Sequence, residues 1–296
     1  MSRSREEHKQ PMSRSREEHK HRRTVSDADN DRVEIEKWDP EFTERVIGIL
    51  RPLIRRYFRT QVRGLENIPP AGGALLVSNH SGGQFAADVP ILAVEFYEKF
   101  GYDRPIHTLS HDMLFAGPIG DVLRRTGFIR ATPENAAEAL RSGHLVVVFP
   151  GGDYDACRPT VWQNVIDFDG RKGYVRTAIE AGVPIVPAVS IGGQENQLYL
   201  TRGSGLAKRL GPIARAARTK IVPISFGFPF GLSVAGMIPP NFPLPTKIVT
   251  QVLEPIDIVA EFGENPDIAA VDAHVREVMQ SALDRLGRER RLPILG

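Results

Sequence analysis

Cysteine is almost missing from this chain, with Cys157 the single one among 296 residues. No intrachain disulfide can form and no cysteine-rich metal site exists, which fits a reducing compartment. Long apolar runs are missing too: no 18 consecutive apolar residues mark a transmembrane helix. The N-terminus has no apolar h-region, so no secretory signal is expected. Net charge is only +2, which argues against a general nucleic-acid binder. A G-x-S-x-G elbow is absent, and Ser81, adjacent to His80, is poorly placed for a serine-hydrolase triad. His80, His107, His111 and Asp112 lack a recognised metal-ligand spacing, so no metal site is expected.

Two absences are local. The first forty residues have almost no apolar side chains and cannot offset their ordering entropy by burial. MSRSREEHK occurs there at residues 1–9 and again at 12–20, and nothing apolar recurs with it. This reads as a duplicated start rather than a structural repeat. Residues 1–38 are therefore assigned to a disordered tail and 39–296 to one folded domain. Acidic residues vanish from Asn196 to Leu253, whereas Arg202, Lys208, Arg209, Arg215, Arg218, Lys220 and Lys247 are basic.

The remainder is 41% hydrophobic and 25% charged over the whole chain, as in an ordinary folded protein. Residues 41–60 have a helical apolar period through Val46, Leu50, Leu53, Ile54 and Tyr57, with Pro52 placed to kink or divide the helix. Helical patterns also cover 89–100, 133–142, 173–182, 205–218 and 267–288. Buried-strand runs lie at 74–80, 144–152, 183–193 and 246–256. Strands alternating with helices imply an α/β fold, a mixed and largely parallel sheet flanked by helices. Ligands gather beyond the carboxyl ends of strands in such sheets, and here several strands run out into Gly-Gly.

One strand exit reads Ser78-Asn79-His80-Ser81-Gly82-Gly83. A histidine there can take a hydroxyl proton near neutral pH, and Asp88 is the nearest downstream acid to orient it. A loop histidine and an aspartate capping the helix at Val89-Pro90 account for the same residues. Arg130, just past Gly127, can contact a phosphate or simply be solvated. Phe149-Pro150-Gly151-Gly152 closes another strand, and a structural turn explains it equally well. The prolines Pro184 and Pro187 suggest an edge strand or a site-lining segment.

The order of these blocks resembles that of the glycerol-phosphate and lysophosphatidic acid acyltransferase family. HTLSHDMLFAGPIGDVLRRTGFIR also resembles the family's link between its first and second blocks. The resemblance implies that His80 is the base activating an acceptor hydroxyl and that Asp88 holds its imidazole. It implies a substrate site of Ser81, Gly82 and Gly83, with Gly127 and Arg130 on the acceptor headgroup. Phe149, Pro150, Gly151 and Gly152 would shape the acceptor pocket, and Pro187 would belong to the donor block. The co-substrate would be acyl-CoA or an acyl carrier protein, with no other cofactor. Two departures stand out. The family has four residues between histidine and aspartate; here Phe85 takes the acid's place and Asp88 lies three residues later, so a looped-out turn must return the carboxylate. Gly151 replaces a glutamate, and Pro-Gly-Gly resembles the variant of diacylglycerol-type acyltransferases with neutral acceptors.

The implied function is O-acyl transfer to a lysophospholipid, glycerolipid or related lipid, with a non-catalytic lipid-binding protein as the alternative. VPISFGFPFGLSVAGMIPP, residues 222–240, is uncharged and follows the basic stretch. It suits either a buried core element or a surface insertion. With the helix at 41–60, residues 202–245 are expected to face an anionic membrane, placing the protein peripherally on the cytoplasmic side.

Overall fold

In the computed structural model the described residues are 34–290 and 292, apart from 82, 84, 85, 118, 212–219 and 235–237. The described strands are β1 (Gln61–Arg63), β2 (Ala74–Ser78), β3 (Ile106–Ser110), β4 (Phe128–Arg130), β5 (Leu145–Val148), β6 (Ile185–Ile191), β7 (Leu198–Thr201), β8 (Ile224–Gly227), β9 (Gly231–Val234) and β10 (Val249–Val252). The helices are α1 (Pro40–Tyr57), α2 (Asp88–Phe100), α3 (Ile119–Arg125), α4 (Pro133–Arg141), α5 (Gly152–Ala156), α6 (Gly173–Ala181), α7 (Ser204–Arg209), α8 (Ile258–Phe262) and α9 (Ile268–Glu289).

Seven strands form one sheet in the order β1-β10-β6-β2-β5-β3-β4. All its pairings are parallel except β10 with β6. The mixed, largely parallel sheet is therefore present. β2 sits at its centre and is buried along its whole length. Period-two alternation sends Leu75 and Val77 toward α4, α6 and α9, and Ala74 and Leu76 toward α1 and α2. The helices start on their sequence signals. Asp39 accepts the Phe42 N–H at 2.9 Å before Pro40, and Thr132 accepts the Asn135 N–H at 3.2 Å before Pro133. α1 runs through Pro52 as one element.

Several expectations change. Residues 34–38 belong to the fold rather than the tail, because the Glu34 side chain is 2% exposed and Ile35 and Trp38 pack on the core. The duplicated MSRSREEHK lies outside the described residues, as does the second half, 212–218, of the helix expected at 205–218. β6 is not an edge strand, despite Pro187. The Pro187 carbonyl accepts the Leu253 N–H at 2.8 Å. Its ring nitrogen faces the same strand and, lacking a hydrogen, cannot return a bond to Leu253, and the regular β10 ladder ends at Val252. The uncharged run at 222–240 is no buried core element. It supplies β8 and β9, which form a second, antiparallel sheet in the order β7-β8-β9.

One polar pair lies inside the main sheet's packing. His107 is fully buried, with Nδ1 3.2 Å from the Gly127 carbonyl and Nε2 3.1 Å from Nδ1 of His144. Burial, helped by the neighbouring His144, pushes its pKa down to about 4. Its neutral form is thus required by the fold. The unfolded chain binds the proton at higher pH, so stability rises with pH between about 4 and 6.5, by about 3 kcal/mol. Urea unfolding at both ends of that window should show this slope in the wild type and a smaller one in His107→Asn.

Candidate active site

Three interactions hold the exit of β2. Asn79 is clamped to β6: its Nδ2 donates to the Ser190 carbonyl at 2.9 Å, and its Oδ1 accepts the Ser190 N–H at 2.7 Å. The next backbone N–H, that of His80, donates to Asp155 Oδ2 at 2.6 Å. Asp88, the first residue of α2, then takes the imidazole, with Oδ2 2.8 Å from Nδ1. The same Oδ2 accepts the Ser81 N–H at 3.0 Å, and Oδ1 accepts the Val89 N–H at 3.1 Å. The Asp88 side chain is 4% exposed and the imidazole 17%. The turn between them passes through Gly83 and Ala86, both at positive φ. Gly82 and Phe85 lie outside the described residues.

The electrostatics follow from this geometry. Burial disfavours the His80 imidazolium, but the charge and hydrogen bond of Asp88 outweigh it, and the pKa stands above the ordinary 6.5. With Nδ1–H directed at Asp88, Nε2 is the basic nitrogen, and no described group bonds to it. The Phe149 ring lies against the imidazole, centroids 4.5 Å apart.

Phe149, Pro150 and Gly152 also line a cavity of about 710 Å³, in the usual size range of small-molecule sites. Leu75, Leu109, Ala136, Val148 and Tyr174 make its walls apolar, while Arg171, Lys220 and His111 are its basic members. Arg171 also pins the turn, donating to the carbonyls of Pro150 at 3.2 Å and Gly151 at 3.1 Å. Gly151 is spatially required: a Cβ there would lie 2.4 Å from the Asp155 Cβ.

Asp155 and Asn79 escaped the sequence reading, although both were within sight of it. Asp155 follows Gly151 by one helical turn and Asn79 adjoins His80, but nothing in one sequence says which polar residue turns inward. Asp155 is wholly buried and paired with Arg158, itself 1% exposed. Burial pushes the Asp155 carboxyl up to about 6, against the pull of Arg158 and of the His80 N–H.

The headgroup residues implied by the resemblance do not themselves line the cavity, although Ala131, Thr132 and Pro133, directly after Arg130, do. Arg130 ends β4, at the far edge of the sheet. Its Nε is 3.5 Å from Glu34 Oε1, and its backbone N–H donates to Glu34 Oε2 at 2.9 Å. Gly127, at φ +92, sits so close to Ile106 that a Cβ there would lie 2.3 Å from the Ile106 carbonyl oxygen. Neither lines the cavity. Pro187 is buried in β6, beside Val77 of β2.

Two substitutions probe the arrangement. Asp88→Asn removes the carboxylate beside Nδ1, so the His80 titration followed by NMR should move to lower pH; an unmoved titration would remove Asp88 as its partner. Asp155→Asn strands the buried Arg158 guanidinium and should cost about 3 kcal/mol or more in urea unfolding.

Comparison with known proteins gives the arrangement its context. The Acyltransferase family model matches residues 59–191, from β1 to the end of β6. An uncharacterized protein of Mycobacterium tuberculosis is 32% identical over 260 residues, spanning 86% of this chain and 69% of that protein. The "DGAT1/2-independent enzyme synthesizing storage lipids" of Mus musculus is 27% identical over 235 residues, spanning 78% and 66%. Among solved structures, the 1-acyl-sn-glycerophosphate acyltransferase PlsC of Thermotoga maritima shares the fold, with a TM-score of 0.50 and 18% identity over 82% of this chain and 81% of that one. A histidine–aspartate pair at the exit of a parallel strand, the matching family model and these relatives converge: the chain belongs to the Acyltransferase family, and it is an acyltransferase.

Proposed function

We propose that the protein moves a fatty acyl group from an acyl thioester, carried on coenzyme A or acyl carrier protein, to the hydroxyl of a lipid without a phosphate headgroup, of the diacylglycerol kind. The observation that carries the reading is the 2.8 Å bond between His80 Nδ1 and buried Asp88, which leaves Nε2 as the base. Nε2 takes the acceptor hydroxyl proton as the oxygen attacks the thioester carbonyl. The tetrahedral intermediate collapses, the C–S bond breaks, and the leaving sulfur takes the proton back from His80, releasing the free thiol and restoring the base. Asp88 orients the ring and stabilises the transient imidazolium; Asn79 and Asp155 hold the backbone beneath it. The apolar cavity beyond Phe149 takes an aliphatic chain.

Three features support the neutral acceptor. Arg130 is already engaged by Glu34. The block that carries a glutamate in phosphate-accepting relatives has Gly151, and the Asp155 side chain leaves no room for a larger residue. The mouse relative's name specifies storage lipids. The non-catalytic alternative drew its support from the displaced aspartate, and Asp88 lies within hydrogen-bond reach of the imidazole.

Purified protein given labelled palmitoyl-CoA should acylate diacylglycerol in preference to lysophosphatidic acid and lysophosphatidylcholine. His80→Ala should lose activity by about 10²–10⁴-fold. Equal product from the variant would remove His80 as base, and a preference for lysophosphatidic acid would overturn the neutral acceptor. Because the base works unprotonated, kcat/KM should rise with pH through a midpoint above 6.5, and Asp88→Asn should shift that limb downward while lowering the plateau.

A further inference from the structure

The small sheet is built inside out. On β7, Tyr199 faces inward while Leu198 and Leu200 are exposed; on β8 the inward residue is Ser225 and the exposed one Phe226. On β9, Ser233 is buried between exposed Leu232 and Val234. Register places Leu198, Phe226 and Leu232 side by side across the three strands. The loops extend this face with Phe228, 67% exposed, together with Phe230 and Phe242. A water-facing antiparallel sheet ordinarily shows the opposite alternation, and contiguous apolar surface of this kind marks a binding face.

We propose that this outward face of β7, β8 and β9 docks the enzyme on a lipid bilayer. The identification of the partner as lipid rests in part on the lipid-acceptor reading above, and two observations argue for it independently. The first is charge. From Asn196 to Leu253 the chain has no acidic residue, and the connection from β7 to β8 carries the exposed Lys208, Arg209 and Lys220. That connection leaves the sheet where Thr201 pairs with Ile224, so the cations rim one end of the apolar face. A cationic rim around Phe, Leu and Val suits acyl chains beneath anionic headgroups. The second is position. The inner face packs on the turn that joins His80 to Asp88: a Cβ on Gly83 would lie 2.8 Å from the Tyr199 hydroxyl. Docking by this face brings a membrane-borne acceptor within about one sheet-packing distance, ~10 Å, of the base. α1 is a poorer anchor, since Arg51 and Arg55 pair with Glu98 and Glu95 of α2.

Flotation of the full chain with phosphatidylcholine vesicles, with and without added phosphatidylserine, tests the proposal. Wild type should float with both and more with the anionic ones. Phe228→Ser/Phe230→Ser/Leu232→Ser should lower partitioning about a hundredfold or more while keeping the thermal midpoint. Should the triple variant misfold, Phe228→Ser alone, at the most exposed of the three positions, should lower it about tenfold. Lys208→Gln/Arg209→Gln should remove most of the anionic preference and spare neutral binding. A wild type that stays with the lipid-free fractions, or variants that float undiminished, would overturn the proposal. So would a wild-type dimer in sedimentation that the triple variant dissociates without any flotation, which would assign the face to a second copy. Transfer between water-soluble hexanoyl-CoA and a short-chain diacylglycerol separates the two readings. Transfer without flotation sinks the docking face alone, and flotation without transfer sinks the acyl-transfer reading alone.

Discussion

The Asp88 carboxylate stands where four pieces of the structure meet. One oxygen takes both the His80 ring at 2.8 Å and the Ser81 N–H at 3.0 Å, while the other takes the Val89 N–H at 3.1 Å. It thereby ties the end of β2, the turn beyond it, the imidazole and the first turn of α2 into one unit. A buried carboxylate without such partners would be neutral or would destabilise the fold. The polar network around it has to be complete, which explains why so many neighbouring residues are committed to it.

That commitment extends into the two flanking strands. β6 contributes the Ser190 backbone that grips Asn79, and the segment after β5 contributes Asp155 beneath the His80 N–H. The two neighbours of the central strand therefore each hold one point of its exit, as expected where ligands gather at the carboxyl ends of an open α/β sheet. Asp155 and Arg158 are both wholly inside. A buried ion pair of this sort gives little net stability but makes the geometry costly to disturb. The proposed chemistry benefits from that rigidity, since a base must meet a hydroxyl within hydrogen-bond reach.

The second sheet solves a different problem. Ser225 and Ser233 face inward beside Tyr199, while Leu198, Leu200, Phe226, Leu232 and Val234 face out. Inward serines cost little in packing volume, whereas outward phenylalanines gain nothing in water. Such an arrangement is stable in context because the main core, on both faces of the seven-stranded sheet, supplies the burial that folding needs.

Much of the main sheet was legible from composition alone. Runs such as ALLV and LVVV can only be buried strands, and the capped, periodic segments can only be helices, because period and punctuation are local properties. The strands β1, β3 and β4 and the three of the second sheet were not legible, because they mix polar and apolar residues over three to five positions where β2 and β5 are nearly unbroken apolar runs. His80 was visible as a residue at a strand exit, and Asp88 as an acid within range. Whether three extra residues would carry that carboxylate away or loop out and return it depended on a turn that no spacing rule covers. Inward Asp155 and Asn79, Glu34 against Arg130, and a proline kept inside a central strand were likewise decided by tertiary structure. Each depends on which groups meet across separations of up to 111 residues, and a linear pattern does not encode that. The sequence by itself determined the fold class and pointed to His80; packing decided what holds that histidine in place.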